Sequence, residues 1–223
     1  DLGLWMGDGA GNSGTVRTGV PLISERWYFV AASYDAESER VTLCQIPLRN
    51  REFDKSYKNL NIGVNMHPSG AIGRPFVMAA WDGIDRGAGD AFGYHFNGKL
   101  DQPRIYDCSL SRDELDTIYT SKIPTKLSEF NVASWDFSKN MESANAIDTG
   151  PNRLTGRVIN LPARAVTGYN WDGTVFNFNE APEQYGAIYF HDDDFEDAGW
   201  ETDFGFTIPN NLESGVYAAK LQS

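Results

Sequence analysis

The stretch from Tyr189 to Trp200, YFHDDDFEDAGW, is the densest group of side chains in the sequence that could bind a metal or exchange protons. Acidic loops bind Ca²⁺ when oxygen ligands and a glycine follow the EF-hand spacing. A loop starting at Asp192 would place Asp197 where the glycine is required. A loop starting at Asp194 would place Ala198 at a ligand position. Neither register is an EF-hand.

Three interpretations of this acidic segment remain: a solvated or interdomain loop, a cation site completed by a partner segment, or direct catalysis. A zinc site would need further nitrogen or sulfur ligands, and His67, His95 and His191 lie far apart in the sequence. The strand signal AIYF ends at His191, so the acids fall in the loop that follows. The pattern favours a solvated, structural loop.

Sequence motifs for other catalytic chemistry are absent. The chain contains no G-x-S-x-G, H-E-x-x-H or Walker sequence. Glycosidases with two carboxylates on one strand need an acid at the end of E-x-D-x-x-E, and the nearest string, ELDTIY, ends in Tyr119. We therefore expect no catalytic residue in this chain.

Composition narrows the class of protein. The 223 residues are 41% hydrophobic and 13% aromatic, which is typical of a folded chain, and the net charge of −12 argues against binding to nucleic acid or to anionic membranes. No apolar run approaches the roughly 20 residues that span a bilayer. We expect a cytoplasmic protein in which the only cysteines, Cys44 and Cys108, are free structural thiols.

Strand signals dominate the amino-terminal half. Residues 26–34 and 40–46 are β-rich runs joined by a polar turn, which predicts a hairpin. Residues 49–75 are polar and predict a long loop, and the apolar run at 75–81 predicts a strand. Ser111 and Glu114, in LSRDELDTIY, form a capping-box pattern that predicts one short helix over about 112–120.

The rest of the chain also has the pattern of a β protein. Residues 94–107 predict a turn and one strand, in which Pro103 indicates an edge position or a bulge. Residues 122–129 predict a linker. Six further short strands are expected in ASWDF, GRVINL, TVFNF, GAIYF, DFGFTI and GVYAAKL. Many short strands and one helix indicate an all-β sandwich.

Two segments together resemble the laminin-G-like (concanavalin A-like) jelly rolls. They are ERWYFVAASYDAESERVTLCQIPL and, some fifty residues later, FNGKLDQPRIYDCSLSRDELDTIY. The resemblance implies a jelly roll over residues 1–122 whose opening strands are missing. Residues 123–223 either add β-strands that complete this sandwich or begin a second β domain. Residues 133–168 are similar to the family's opening strands, placed after its close.

The later half resembles a narrower family, the large subunits of N,N-dimethylformamidase. The matching segments include NLPARAVTGYNWDG, PEQYGAIYFHDDDFEDAGWETDF and IPNNLESGVYAAKL. This resemblance implies a bacterial amidohydrolase that cleaves an amide C–N bond to give an amine and formate. It also implies an iron held by tyrosine and glutamate in a domain beyond Ser223, so the chain is expected to be an internal piece of a larger polypeptide.

Two function classes follow. The first is a non-catalytic accessory segment that contacts other domains or subunits of such an enzyme, with no cofactor of its own except a calcium ion. The second is a stand-alone jelly roll that binds carbohydrate or protein. Tyr185, Tyr189 and Glu183 could be mistaken for the iron ligands. PEQYGAIYF is more simply a turn entering a strand, on which Tyr185 and Tyr189 share a face.

Asp101, in GKLDQPRIY, is the one residue singled out as a site. The jelly-roll resemblance implies a structural calcium ion there, completed by backbone carbonyls. The alternative is an aspartate that caps a turn by accepting backbone N–H bonds.

Overall fold

The computed structural model describes residues 1–7, 11–49, 52–62, 75–81, 94–120, 125–191, 201, 205, 207–212, 215–218 and 220. It divides the chain into two units, Asp1–Asp192 and Asp193–Ser223. In the first unit, strands predominate and all described strand pairs are antiparallel, which confirms the predicted all-β class. The described residues of the second unit lie in turns and irregular backbone.

Twelve strands and two α-helices are present in the described residues. The strands are β1 (Gly3–Gly7), β2 (Ser13–Arg17), β3 (Tyr28–Asp35), β4 (Arg40–Pro47), β5 (Ser56–Asn61), β6 (Gly98–Asp101), β7 (Arg104–Tyr106), β8 (Asn131–Asp136), β9 (Asn145–Asp148), β10 (Gly156–Arg157), β11 (Ala163–Val166) and β12 (Ala187–Phe190). The helices are α1 (Arg112–Tyr119) and α2 (Thr125–Ser128), with 3₁₀ turns at Glu52–Asp54 and Pro182–Tyr185. Neither α-helix described is long and apolar enough to cross a membrane.

The first region, β1–β5 with α1, has three layers. Its sheet has the order β3-β4-β5, and the separate β1–β2 hairpin packs on one face. Side chains alternate along β4, so Val41 and Leu43 contact Val16 of the hairpin, whereas Cys44 and Ile46 point to the opposite face, towards α1. The central strand is therefore buried on both faces.

The predicted hairpin is confirmed, with Tyr28 opposite Pro47 and Asp35 opposite Arg40. The free state of the two cysteines is also confirmed. Two other expectations are wrong. Residues 56–61 form β5, where a loop was predicted, because an edge strand can carry polar side chains on its solvated side. Residues 75–81 form no strand beyond an isolated bridge at Trp81.

Helix α1 begins where the capping box predicts. Ser111 Oγ accepts the N–H of Glu114 at 3.3 Å, and the Glu114 carboxylate accepts the N–H of Ser111 at 2.9 Å. Leu115 is buried, and its neighbours include Leu110 from the residue before the cap. The N–H of Leu110 also donates to Ser33 Oγ of β3 at 2.6 Å. The helix is thus fixed to the sheet at its first turn.

The second region, β6–β12, is built from two sheets of short strands, with the orders β10-β9-β8-β7 and β11-β12-β6. Buried side chains from both sheets form one cluster, in which Trp135 and Phe137 pack with Ile188. The predicted strands in ASWDF, GRVINL and GAIYF are present as β8, β10 and β12. TVFNF forms no strand, and β9, β11 and the short helix α2 were not predicted. DFGFTI and GVYAAKL lie partly outside the described residues.

The strand predicted around Pro103 is two strands in different sheets. β6 pairs with β12, and β7 pairs with β8. Gln102 has a φ of 47°, a left-handed conformation that turns the chain, and Pro103 has no N–H to continue a ladder. Sheets therefore include strands from both sides of residue 122, and the proposed domain boundary there stays a prediction.

Candidate functional site

Asp101 lies at the end of β6, opposite Ala187 of β12. Its Oδ2 accepts the N–H of Tyr169 at 3.2 Å, as a turn-capping aspartate does. Its Oδ1 is buried and has no hydrogen-bond partner among the described residues. A buried carboxylate oxygen without a partner is costly, and such an atom is a reason to consider a missing ligand.

Two glycines pack against this carboxylate. A Cβ at Gly168 would lie 2.5 Å from Asp101 Oδ2, and a Cβ at Gly186 would lie 3.3 Å from Oδ1. A side chain at Gly168 would therefore collide with the carboxylate. The close approach explains why glycine stands at this position, directly before the residue whose N–H bonds to Asp101.

The electrostatics of the site follow from its burial. Desolvation raises the pKa of Asp101 to about 6, and the nearby charge of Asp136 acts in the same direction. Lys99 is two residues earlier on the same face of β6, and burial lowers its pKa. Its Nζ donates to Thr167 O at 3.2 Å and to Thr167 Oγ1 at 2.9 Å. Lys99 and Asp101 together hold the 167–169 turn.

The Asp101 site fits a cation in part. Its Oδ1 could supply one ligand, and Asp136 is the neighbouring acid, although Asp136 Oδ1 already accepts from the Ser138 hydroxyl at 2.5 Å. Among the described residues, no three His, Cys, Asp or Glu side chains form a metal-binding group. Calcium takes six to eight oxygens, so backbone carbonyls and water would have to complete the shell.

Sequence reasoning missed two charged groups of the second region, the buried Asp148 and the half-buried Arg164. Asp148 is 1% exposed and accepts backbone N–H bonds from Ser134, Gly150 and Leu154 at 2.7 to 2.8 Å. Burial opposes ionisation of Asp148, but these three bonds outweigh it and hold its pKa below the ordinary value. An aspartate two residues before a glycine is a turn signal that could have drawn attention to it.

Arg164, on β11, is the second missed group. Its guanidinium donates to the carbonyls of Ser143, Asn145 and Phe137 at 3.0 Å and of Lys139 at 3.3 Å. Burial lowers its pKa. All four acceptors belong to the end of β8, the start of β9 and their connection, so the arginine joins the two sheets. No local pattern in the sequence signals this role.

The two tyrosines that could be mistaken for iron ligands lie in different surroundings. Tyr185 ends a 3₁₀ turn, is 7% exposed, and donates its hydroxyl to Val175 O at 2.8 Å. Tyr189 lies on β12 and is 40% exposed. The expectation that both share a face is wrong, because the strand period does not extend into the 3₁₀ turn. A buried hydroxyl committed to a backbone carbonyl does not fit a metal ligand.

The acidic segment after His191 lies outside the described residues, so its role stays a prediction. His67 also lies outside them. Of the remaining histidines, His95 is exposed, and the His191 ring lies 5.1 Å from that of Tyr189. The described histidines therefore stand in separate environments.

Comparison with known proteins shows what the chain is similar to. Residues 163–223 match a family model described as N,N-dimethylformamidase beta subunit-like, C-terminal. The chain is 33% identical over 234 residues to the N,N-dimethylformamidase beta subunit of Alcaligenes sp, and 31% identical over 231 residues to that of Paracoccus aminophilus. Each match covers 97% of this chain and 30% of the relative. The chain is thus a relative of the N,N-dimethylformamidase beta subunits, matched over nearly its whole length and about 30% of theirs.

Proposed function

We propose that this chain is an accessory, non-catalytic β segment of an amidohydrolase of the N,N-dimethylformamidase kind. The observation that carries the proposal is the match of 97% of the chain to two beta subunits of that enzyme. Its partners are then other domains or subunits of the same enzyme. The length of the match favours this function over a stand-alone binding module.

The hydrogen bonds that its polar side chains make to the backbone support a structural role. The buried carboxylate of Asp148 and the guanidinium of Arg164 bond to backbone groups of loops and strand ends. The Tyr185 hydroxyl is bonded in the same way. A catalytic acid, base or nucleophile needs a free face towards substrate, and these groups are committed to the fold instead.

The fold that we propose for the segment is a laminin-G-like jelly roll. The antiparallel sheets, and the capped helix that follows the strand after Pro103, agree with that family's order of elements. In this proposal the iron and its tyrosine and glutamate ligands belong to another part of the enzyme, and this segment supports its assembly.

An amidase assay on the purified chain tests the proposal. We expect no dimethylamine from dimethylformamide and no stoichiometric iron by metal analysis. Turnover that requires iron, and that is lost in Tyr185→Phe or Tyr189→Phe, would show that the chain is catalytic. Deleting the matching segment from the Alcaligenes beta subunit should prevent assembly of that enzyme, measured by size-exclusion chromatography. Normal assembly of the beta subunit that lacks this segment would refute the accessory role.

We propose further that Asp101 is a ligand of a structural calcium ion, with Oδ1 as the ligating atom. A cation there would partner the buried oxygen and offset the repulsion from Asp136. Calcium should raise the melting temperature, and a chelator should lower it again. Asp101→Asn should remove this response, whereas Asp107→Asn, an exposed position nearby, should keep it. A melting temperature indifferent to calcium would contradict the proposal.

A further inference from the structure

A cleft of about 310 Å³ opens between β7, β8, the end of α2 and the loop after β9. It is lined by Arg104, four polar residues, a glycine and a proline. Among the described residues that line the cleft, Arg104 alone carries a formal charge, and this charge is positive in a chain of net charge −12. Such a cleft attracts anionic groups locally, although the chain as a whole repels them.

Arg104 is held in position but not neutralised. It lies directly opposite Ser134 in the β7–β8 pair, and Nη2 donates to Gln102 Oε1 at 3.1 Å. Within the described residues, no carboxylate lies at ion-pair distance from its guanidinium. Gln102 is neutral and accepts from only one of the five N–H donors of the Arg104 guanidinium. The planar guanidinium therefore keeps other donors for a further acceptor.

The hydroxyls of the cleft differ in what they can offer. Ser128 donates to Thr125 O at 2.5 Å, and Thr149 donates to Ser134 O at 3.0 Å, so both hydroxyl hydrogens are used. Ser134 Oγ instead accepts from Asn131 Nδ2 at 2.8 Å. Its own hydrogen is free to donate, next to Arg104. The wall of the cleft therefore places a charged donor beside a neutral donor.

The orientation of the Asn131 amide determines whether the Ser134 hydroxyl is free to donate. As placed, Oδ1 is buried and has no hydrogen-bond partner among the described residues. In the opposite orientation, Oδ1 would accept from Ser134 Oγ, and Nδ2 would take the buried position, where it does not face the cleft. The orientation in the structure is the one that leaves the Ser134 hydroxyl as a neutral donor beside the guanidinium.

The buried acid beneath the cleft does not cancel this donor pair. Asp148 Oδ1 accepts from the N–H groups of Ser134 and Gly150, and Oδ2 accepts from Leu154. Its charge is therefore spread into the backbone of the floor. The charge of Arg153 also acts on Asp148 and lowers its pKa.

We propose that the Arg104 cleft binds a carboxylate, with the guanidinium and the Ser134 hydroxyl holding its two oxygens. Arginine and a neighbouring donor recognise the planar geometry of a carboxylate, and a half-buried site strengthens the charge-assisted bonds. The carboxylate comes either from a free organic acid or from an aspartate or glutamate of a partner protein. This inference does not depend on the proposed function.

Titration of the full chain with acetate at pH 7.5, followed by NMR, tests the site. We expect saturable shifts of the Arg104, Ser134 and Thr149 signals in the millimolar range, and no such shifts with acetamide, which has the same shape without the charge. Aspartate blocked at both ends as an amide distinguishes the sources. Tighter binding than acetate identifies a protein side chain as the natural ligand, and weaker binding identifies a free acid.

Variants decide whether Arg104 is responsible. Arg104→Gln should weaken acetate binding by about tenfold or more, because a charge-assisted pair is lost. Arg157→Gln, at an exposed position on β10, should leave binding unchanged. If Arg104→Gln does not fold, Ser134→Ala and Arg104→Lys should each give partial weakening. The absence of shifts with both carboxylates, or equal binding by Arg104→Gln and the unaltered chain, would overturn the inference.

Discussion

The first region and the second region both pack strands around buried apolar side chains, but their strands differ in length. The sheet of the first region has strands of six and eight residues, covered by a hairpin and by α1. The strands of the second region have two to six residues. Long strands pair most of their backbone groups in the ladder, whereas short strands leave many such groups at their ends and in loops.

The second region satisfies those groups with charged side chains. Arg164 bonds to four carbonyls, and Asp148 bonds to three N–H groups. In the first region, the fully buried Gln45 has a comparable role, but its side chain is a neutral amide. Its Oε1 accepts from the Thr18 hydroxyl, and its Nε2 donates to the carbonyl of Asp54. Charged side chains of the first region also bond to backbone groups, but at exposed positions such as Arg40, so the difference lies in how deeply the charge is buried.

The sharpest test of the comparison is Arg164→Met. Four carbonyls would lose a charged donor in the second region, so we expect the free energy of unfolding to fall by about 3 kcal/mol. Urea denaturation followed by tryptophan fluorescence measures this change.

Arg40→Met in the first region is the matched control. Arg40 is exposed and bonds to the carbonyl and side chain of Asn59 at the sheet edge. We expect a loss within about 0.5 kcal/mol, as for most exposed substitutions. Equal losses in the two arginine variants would break the comparison between the regions.

Asp148→Asn should have the next largest effect. An amide puts an NH₂ group where the carboxylate accepted backbone N–H bonds, at a cost of about 2 kcal/mol. The pKa of Asp148 is lowered on folding, so its contribution is complete above about pH 4 and disappears as the pH falls through the folded pKa. The difference between the unaltered chain and Asp148→Asn should therefore shrink in acid, as measured by thermal melts from pH 7 to pH 3.

Asp35→Asn is the matched substitution for Asp148→Asn in the first region. Asp35 caps an exposed turn through Ser38, whose hydroxyl lowers its pKa. Because solvent screens this site, the substitution should change the melting temperature much less than Asp148→Asn does. A larger effect for Asp35 would show that burial is not what separates the two carboxylates.

Ser111→Ala should have a smaller effect than Arg164→Met or Asp148→Asn. It removes the cap that starts α1, and we expect a loss of about 1 kcal/mol. Ser109→Ala, an exposed serine two residues earlier, is the control and should be neutral. Chemical denaturation of the two variants side by side measures the difference. A neutral Ser111→Ala would mean that Leu115 packing alone fixes the helix.

The sequence predicts features that depend on neighbours along the chain. The capping box of Ser111 and Glu114 placed α1 correctly, and alternation around a polar turn placed the β3–β4 hairpin. Both signals act over a few residues, so they survive in any tertiary context. The strand predicted at 75–81 failed because apolar composition alone does not supply a pairing partner.

Features that depend on distant residues were not predictable. The surroundings of Asp101 come from Gly168 and Gly186, far along the chain, and no local pattern links them. The four acceptors of Arg164 are backbone carbonyls, which are invisible to residue type. The sequence could single out Asp101 by its position in a motif, but not the burial that raises its pKa.

The break at Gln102 and Pro103 has a consequence for the order of synthesis. Strand β6 leaves the ribosome long before its partner, since Ala187, which pairs with Asp101, follows about 90 residues later, whereas β7 pairs with the much nearer β8. At roughly 5 to 20 residues per second, β6 waits several seconds with unpaired backbone groups. Such a nascent strand is a natural substrate for a chaperone, and slowing translation between β7 and β12 should lower the yield of folded protein.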